Sequence, residues 1–364
     1  MEKFRRNLRA IRERIGPDRL ICVPVKADAY GHGAAPIAAA AVEAAGVCLG
    51  VATVTEGAEL RNAGFSVPIL LFSQPLPDEI PELVSLDLSP FVSDGEFVDL
   101  AARTAAAAGK TLSVHLKIDT GMGRVGCRPE DAAALAGRIV SRKGLILEGT
   151  ATHLAVSDSP KAEDLAYTRT QLARFREALA SIRGAGINPG IVHAANSGAV
   201  ILHQDAFFDM VRPGILLYGY SPVSGEASVS SALQVEPVME LVSRIVFIKK
   251  VKQGESLSYG RTWTAPEDTM IATIPVGYGD GLPRLLSGNW QVYIRGKPYP
   301  LAGRICMDQC LANLGPGSDI KRWEDVVIFG GAAPGADQIA ARINTIPYEI
   351  TCNINKRVPR IYNE

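Results

Sequence analysis

The chain has 364 residues, 47% of them hydrophobic and 21% charged, enough for a large core in one or two domains. Lysine plus arginine balance aspartate plus glutamate at 38 each, so nothing electrostatic favours nucleic acid or an anionic membrane. No apolar run reaches the roughly 18 residues of a spanning helix. The six cysteines include no Cys-x-x-Cys pair, which suits reduced thiols of a cytoplasmic protein.

The opening "MEKFRRNLRAIRERIG" places Phe4, Leu8, Ile11 and Ile15 at helical spacing and predicts an amphipathic helix docked on a core. Its arginines would also suit a targeting segment, but Glu2 and Glu13 weigh against that. Up to about residue 220, short β-branched runs alternate with alanine-rich helical stretches. The runs are Leu20–Val25, Cys48–Val51, Ile69–Phe72, Leu88–Val92, Thr111–Ile118, Ile146–Ala151, Gly190–Val192 and Phe207–Val211. The helical patterns include Ala34–Ala45, Gly95–Ala108, Pro129–Ser141 and Ser159–Gly184. Eight strands with crossover helices predict an α/β fold, a closed (β/α)8 TIM barrel, with a doubly wound open sheet as the alternative. Pro90 makes Leu88–Val92 the weakest of these strands.

After Leu233 the texture changes. Strand-like runs crowd together at Leu241–Val251, Met270–Val276, Trp290–Ile294 and Asp325–Phe329, punctuated by Gly and Pro. Helical pattern is nearly absent except at Gly335–Asn344. This predicts a second, mostly β domain. The polar stretch "YSPVSGEASVSS" places the boundary near residue 225, giving domains 1–225 and 226–364.

Barrel enzymes carry their chemistry at the C-terminal strand ends. Strand 1 ends at Lys26, inside "CVPVKADAYGHG". Strand 5 runs into "KIDTGMGRVG" with Lys117, Asp119 and Arg124; strand 6 ends in "ATHLA" with His153. Strand 7 ends at His193 and "AANSG", with Asn196 and Ser197; strand 8 ends at Arg212 and "PGILLYG". Each alone also fits a satisfied structural residue; five on one rim do not fit a solubility pattern. The hydroxyls and glycine N–H groups after strands 7 and 8 suit a phosphate cradle. In a closed barrel Lys26 would sit beside it. A phosphate-bearing aldehyde then fits, and pyridoxal 5'-phosphate starts its chemistry as a lysine Schiff base. "GYGDG" (277–281) follows a strand but opens no helix, so it is no dinucleotide loop. Asp119, His153 and His193 match no zinc spacing, and no metal site is expected.

The motifs "VKADAYGHG", "DTGMGRVG", "HAANSG", "VRPGILLYG", "SYGRT", "VGYGDGLPR", "GRICMDQ" and "RVPR" occur in this order across nearly the whole chain. In that set the chain resembles the alanine racemases. The resemblance implies a pyridoxal-phosphate barrel followed by a β domain, in a head-to-tail homodimer whose β domains complete each other's sites. It implies that Lys26 carries the cofactor and that Tyr30, Ser197, Gly214 and Ile215 hold its phosphate, with Asn196 close by and Tyr362 a further candidate. His153 would lie near the ring. Arg212, oriented by His193, would face the pyridine nitrogen. Arg124 would bond the cofactor's phenolic oxygen and approach the substrate carboxylate; Lys117, at a commonly carbamylated position, would orient it. Tyr259 would be the second base opposite Lys26, Tyr278, Met307 and Asp308 would line the entrance, and the Met307 N–H would meet the substrate.

The implied activity interconverts L- and D-alanine and supplies D-alanine for peptidoglycan. Two bases on opposite faces of a planar intermediate do this. A phenol with an ordinary pKa of about 10 needs nearby positive charge for such work. An arginine can only donate, so at the ring nitrogen it would make the cofactor a weaker electron sink. One departure is Lys356, where many relatives place a tyrosine before "RVPR"; it bears on discrimination between alanine and serine. Another is a start that lacks a strand-like segment before the helix holding Asn7. Alternatives are a serine-tolerant or other amino-acid racemase, a basic-amino-acid decarboxylase of the same scaffold, and a non-enzymatic pyridoxal-phosphate-binding protein. "SYGRT" argues against the decarboxylase, and the second domain against the binder.

Overall fold

The computed structural model describes residues 1–44, 47–223 and 233–363. It divides into two compact units: residues 1–29 with 33–236, and residues 30–32 with 237–364. The expected boundary at residue 225 and the expected helix end at Ala45 lie outside the described residues.

The first unit holds eight parallel strands. These are β1 (Leu20–Pro24), β2 (Val47–Val51), β3 (Ile69–Leu71), β4 (Ser89–Val92), β5 (Leu112–Lys117), β6 (Leu145–Ala151), β7 (Ile191–His193) and β8 (Met210–Val211). They pair in sequence order, and β1 closes on β8 through Leu20↔Met210 and Ile21↔Val211, so the barrel is closed and the open sheet is excluded. Pro90 does lie within β4, opposite Leu71. The run from Phe207 shortens to two residues because Phe208 sits at φ 46°, off the strand region.

The helices of this unit are α1 (Glu2–Ile15), α2 (Ala34–Val42), α3 (Val54–Asn62), α4 (Ile80–Ser85), α5 (Gly95–Ala107), α6 (Ala132–Val140), α7 (Ala162–Gly184) and α8 (Ser197–Leu202). Side-chain caps set three of the starts. Thr53 accepts from the Glu56 N–H, Asp94 from Phe97 and Asn196 from Ala199, each satisfying a first-turn donor. The short α3, α4 and α8 had no strong apolar period and escaped the sequence reading.

In α1 the face carrying Phe4, Leu8, Ile11 and Ile15 is buried, and Phe4 meets Tyr218 at 6.0 Å between ring centroids. Asn7 shares that face. Its amide donates to Leu217 O (3.0 Å) and Glu236 O (2.9 Å) and accepts from the Glu236 N–H (2.8 Å).

The second unit carries β9 (Leu241–Arg244), β10 (Phe247–Val251), β11 (Ser256–Leu257), β12 (Trp263–Thr264), β13 (Thr269–Ile274), β14 (Gln291–Ile294), β15 (Lys297–Pro300), β16 (Cys310–Gly315) and β17 (Asp325–Phe329). They form sheets ordered β10-β13-β16 and β15-β14-β17-β9, with β11 and β12 as a separate pair. The single run expected over Leu241–Val251 is two strands in two sheets. Ile245 N–H still donates to Glu324 O beside β17, but Val246 N–H already donates to Thr273 O of β13. Two helices follow, α9 (Ala336–Arg342) and α10 (Pro347–Cys352), the second opened by a proline that hides its helical character in the sequence. All six cysteines are free. No described helix is long and apolar enough to cross a membrane.

Asn7→Leu removes three hydrogen bonds and strands two carbonyls and an N–H. At about 1 kcal/mol each, it should lower unfolding stability by ~3 kcal/mol. Urea titration of the two proteins checks this; a difference below ~0.5 kcal/mol would contradict the structural role given to Asn7.

Candidate active site

Lys26 follows β1 directly. Three contacts fix the backbone on either side of it: Tyr218 Oη donates to Pro24 O (2.8 Å), Val25 N–H to Gly50 O (2.8 Å), and Ala27 N–H to Glu56 Oε1 (2.7 Å). The other Glu56 oxygen accepts from the Ala52 N–H at 2.7 Å. One carboxylate in the first turn of α3 therefore ties the ends of β1 and β2 together. Lys26 Nζ stands 5.8 Å from the centre of the Phe72 ring.

The next four residues, Ala27 to Tyr30, all lie in the left-handed region at φ 51–55°. Non-glycine residues visit it at a cost of roughly 1–2 kcal/mol each. The turn is closed by Ala29 N–H to Val25 O (2.8 Å), Gly33 N–H to Asp28 O (2.9 Å) and Ala34 N–H to Asp28 Oδ1 (2.8 Å). Gly31 continues it at φ 83°, and a Cβ there would lie 2.0 Å from Thr351 O, so only glycine fits.

Around the rim, cationic groups converge. Lys117 is buried at the end of β5, its Nζ 5.3 Å from the Phe91 ring centre, with no hydrogen-bond acceptor among the described residues. Burial, then the charges of Arg212 and Arg124, push its amine well below the usual range; Asp119 opposes this. Burial would raise the Asp119 carboxyl, but N–H groups of Gly123, Gly121 and Met122 and the Lys117 charge hold it low. For His153, burial comes first and then Lys117, Arg212, Arg124 and Lys26 keep the imidazole well below its ordinary value. That one ring therefore feels four of the cations picked out in the sequence. Arg124 itself is exposed in this chain.

Arg212 is fully enclosed by the barrel end, and burial brings it down to about 10, still a cation at neutral pH. Its Nη1 lies 2.7 Å from His193 Nδ1, and its Nη2 donates to Thr152 O (2.8 Å) and Ala194 O (3.3 Å). Next to it, the loops after β7 and β8 meet. The Leu216 N–H donates to Ser197 Oγ (3.3 Å), which sets Ser197 against the turn opened by Gly214 and Ile215. Asn196 caps α8, accepts from Ser157 Oγ (2.7 Å) and donates to Leu154 O (3.4 Å). Lys26, Lys117, Arg124, His153, His193, Asn196, Ser197, Arg212, Gly214 and Ile215 thus all belong to the barrel unit.

The remaining residues belong to the second unit. Tyr30 packs its ring 5.8 Å from Tyr348, and Tyr362 Oη donates to His32 O (3.0 Å). Tyr259 is 70% exposed on a short turn between Ser258 at φ 62° and Gly260 at φ 72°. Ser258 Oγ donates to Arg304 O (2.7 Å), while Tyr278 N–H donates to Cys306 O (3.1 Å) and Gly279 N–H to Met307 O (2.8 Å). These bonds gather Tyr259, Tyr278 and Met307, all exposed, around residues 304–307. Arg357 of "RVPR" holds Asp308 (2.9 Å) and Asp280 (2.8 Å), and its neighbour Arg360 donates to Gly31 O (3.1 Å). Lys356 is exposed.

The sequence reading missed Glu56; its spacing three residues after Thr53 is that of an ordinary helix N-terminus and carries no sign of a contact to β1 or β2. Glu56→Gln keeps one acceptor oxygen and loses the other. It should destabilise by ~1–2 kcal/mol and speed hydrogen exchange of the Ala27 or Ala52 amide, read by mass spectrometry. Unchanged protection of both amides would contradict the clamp.

Comparison with known proteins bears on this geometry. The family model for the alanine racemase N-terminal domain matches residues 1–222, and that for the C-terminal domain matches residues 238–362. A Treponema denticola alanine racemase is 47% identical over all of this chain and 96% of its own length. One from Desulforamulus reducens is 41% identical over all of this chain and 97% of its own. Among solved structures, alanine racemase from D-cycloserine-producing Streptomyces lavendulae superposes with TM-score 0.91 at 38% identity, covering 100% of this chain and 95% of that one. That of Clostridium difficile gives TM-score 0.92 at 34% identity, covering 98% and 92%. The chain belongs to the alanine racemase family.

Proposed function

We propose that the chain is an alanine racemase, interconverting L- and D-alanine with pyridoxal 5'-phosphate as cofactor, in the cytoplasm and as a head-to-tail homodimer. The observation that carries the cofactor reading is the rim itself: Lys26, Lys117, Arg124 and Arg212 all act on His153, and Arg212 and Arg124 also act on Lys117, with Asp119 as the acidic counterweight. Such a cluster asks for an anion, and a phosphate, a phenolic oxygen and a substrate carboxylate supply three. When bound, the cofactor withdraws electrons from the substrate α-carbon.

The chain's own residues do the rest. The Lys26 amine would anchor the cofactor and exchange the α-proton on one face. Ser197, Tyr30 and the N–H groups after Gly214 would hold the phosphate, with Asn196 and Tyr362 beside them. Arg212, donating only, would meet the ring nitrogen and leave it without a proton. His193 supports Arg212, and His153 would lie by the ring. Arg124 would bond the phenolic oxygen and the substrate carboxylate.

Lys117 is buried among positive charges. Burial and its cationic neighbours favour the neutral amine, the form that adds carbon dioxide and releases a proton. The resulting carbamate would be an anion, which attracts the Arg124 guanidinium.

The exposure of Tyr259 and Met307 supports their donation across a dimer interface. There the Tyr259 hydroxyl would exchange the α-proton on the face opposite Lys26, with the Met307 N–H on the carboxylate and Tyr278 and Asp308 at the entrance. The domain division proposed is residues 1–225 and 226–364.

Incubation with L- and with D-alanine in deuterated water should give loss of optical activity and α-deuteration. Tyr259→Phe should slow this by ~10²–10⁴-fold, the usual contribution of one acid–base group. Carbon dioxide release from lysine or ornithine, or an absorbing cofactor with no turnover, would overturn the reading. Labelled bicarbonate should give a carbamate carbon-13 resonance that Lys117→Ala abolishes; its absence in wild-type protein would contradict the modification.

A further inference from the structure

A line of polar side chains runs through the barrel interior behind Arg212, and only its first member, His193, has a place in the chemistry above. His193 Nε2 lies 2.8 Å from His115 Nδ1, and His115 Nε2 lies 3.2 Å from Glu148 Oε2. Ser89 Oγ donates to the same oxygen at 3.1 Å. The line thus runs from just past the end of β8 across β7, β5, β6 and β4, where barrels ordinarily place branched apolar residues.

The direction of every bond follows from its first one. A guanidinium has five N–H donors and no acceptor. His193 Nδ1, 2.7 Å from Arg212 Nη1, must therefore accept, and its proton sits on Nε2. That Nε2–H donates to His115 Nδ1, so the His115 proton also sits on Nε2 and points at Glu148. Burial and the Arg212 charge keep His193 well below the usual imidazole range. The hydrogen bond from His115, ahead of the opposing burial, keeps the Glu148 carboxyl low. The line is a cation, two neutral imidazoles with aligned dipoles, and a carboxylate.

Local backbone geometry is shaped around this line. The β5–β6 register skips a residue: Val114 pairs with Leu147 but His115 with Gly149, which leaves Glu148 as the extra residue of a bulge. Such bulges re-aim side chains. Gly149 is required beside it, because a Cβ there would lie 2.3 Å from His115 Nδ1 and 2.7 Å from Ile191 O.

We infer that Glu148 and His115 are positioning residues for Arg212: the carboxylate fixes the tautomers of both imidazoles and thereby which guanidinium N–H groups face the cofactor ring. Three Arg212 donors are engaged, one by His193 and two by Thr152 O and Ala194 O. The Nε–H and the second Nη1–H have no protein partner among the described residues. With His193 in the other tautomer, its Nδ1–H would meet an Arg212 N–H, and the guanidinium would have to turn. This purpose rests on the proposed pairing of Arg212 with the ring nitrogen; the tautomers themselves do not.

The test is nitrogen-15 NMR of histidine-labelled protein, with cofactor bound and after its removal. Both His193 and His115 should be neutral with the proton on Nε2 in either form. Glu148→Leu should move the His115 Nε2–H signal upfield, mix the His193 tautomers, and lower kcat about tenfold, the scale of one charge-assisted hydrogen bond, with KM little changed. Glu148→Gln retains an acceptor oxygen and should restore most of both. A simple packing role would instead lower stability in both variants and leave the tautomers alone. A wild-type His193 carrying a proton on Nδ1 overturns the inference, and so does a Glu148→Leu kcat equal to wild type. Should Glu148→Leu not fold, the wild-type spectrum and Glu148→Gln decide. Failure of the underlying pairing is separable: the His193 signal would then ignore cofactor loading while the tautomers stayed as expected.

Discussion

Concentrated positive charge at the barrel mouth is the constraint on which the other features depend. Burying cations without counter-ions is costly, and the groups respond by giving up protons where they can. Lys117 and His153 can, and both are held well below their ordinary ranges, with burial the largest cause. Arg212 cannot follow them at neutral pH. It is stabilised instead by two main-chain carbonyls and an imidazole, all neutral acceptors. Neutral acceptors satisfy the hydrogen bonds of the guanidinium without cancelling its charge, so the mouth stays electropositive and receptive to anions. A structural ion pair at the same place would have removed that property.

Precision at this mouth comes from backbone more than from side-chain packing. The left-handed run from Ala27 to Tyr30 is strained at roughly 1–2 kcal/mol per residue, and such strain persists only where its surroundings over-determine it. Here the surroundings are Glu56 on one side of the turn and Asp28 with Gly33 on the other. The turn lets Lys26 leave β1 facing the rim while residues 30–32 depart to join the second unit. There Arg360 and Tyr362 receive the carbonyls of Gly31 and His32. The "RVPR" motif, legible as a family signature, turns out to act on main chain and on two aspartates.

How much the sequence disclosed depended on whether a residue's task shows in its own neighbourhood. Lys26, His153, His193 and Arg212 were visible because each interrupts an apolar run at its end. Every barrel strand was placed within a few residues, since alternating β-branched runs and alanine-rich helices leave little freedom. Glu148 and His115 also interrupt apolar runs, in "LILEGTA" and "SVHLKID", and that was a usable signal. It was passed over because mid-strand positions are not where barrels place chemistry, and a bulge cannot be read from one strand alone. Ala27 to Tyr30 contain no residue type that demands positive φ; only Gly31 and Gly33 hinted at it. The switch of sheets at Ile245–Val246 was hidden within one continuous apolar run, because period-two patterning does not say which sheet a strand joins.

The proposed function requires this electropositive mouth to present the Lys26 amine to an aldehyde carrying a phosphate. Its most direct test is hydride reduction of the freshly purified protein, followed by proteolysis and mass spectrometry. The expected result is a single phosphopyridoxyl group, fixed as a secondary amine on the peptide containing Lys26. Reduced protein with no such adduct after reconstitution, or with the adduct on another lysine, would contradict it.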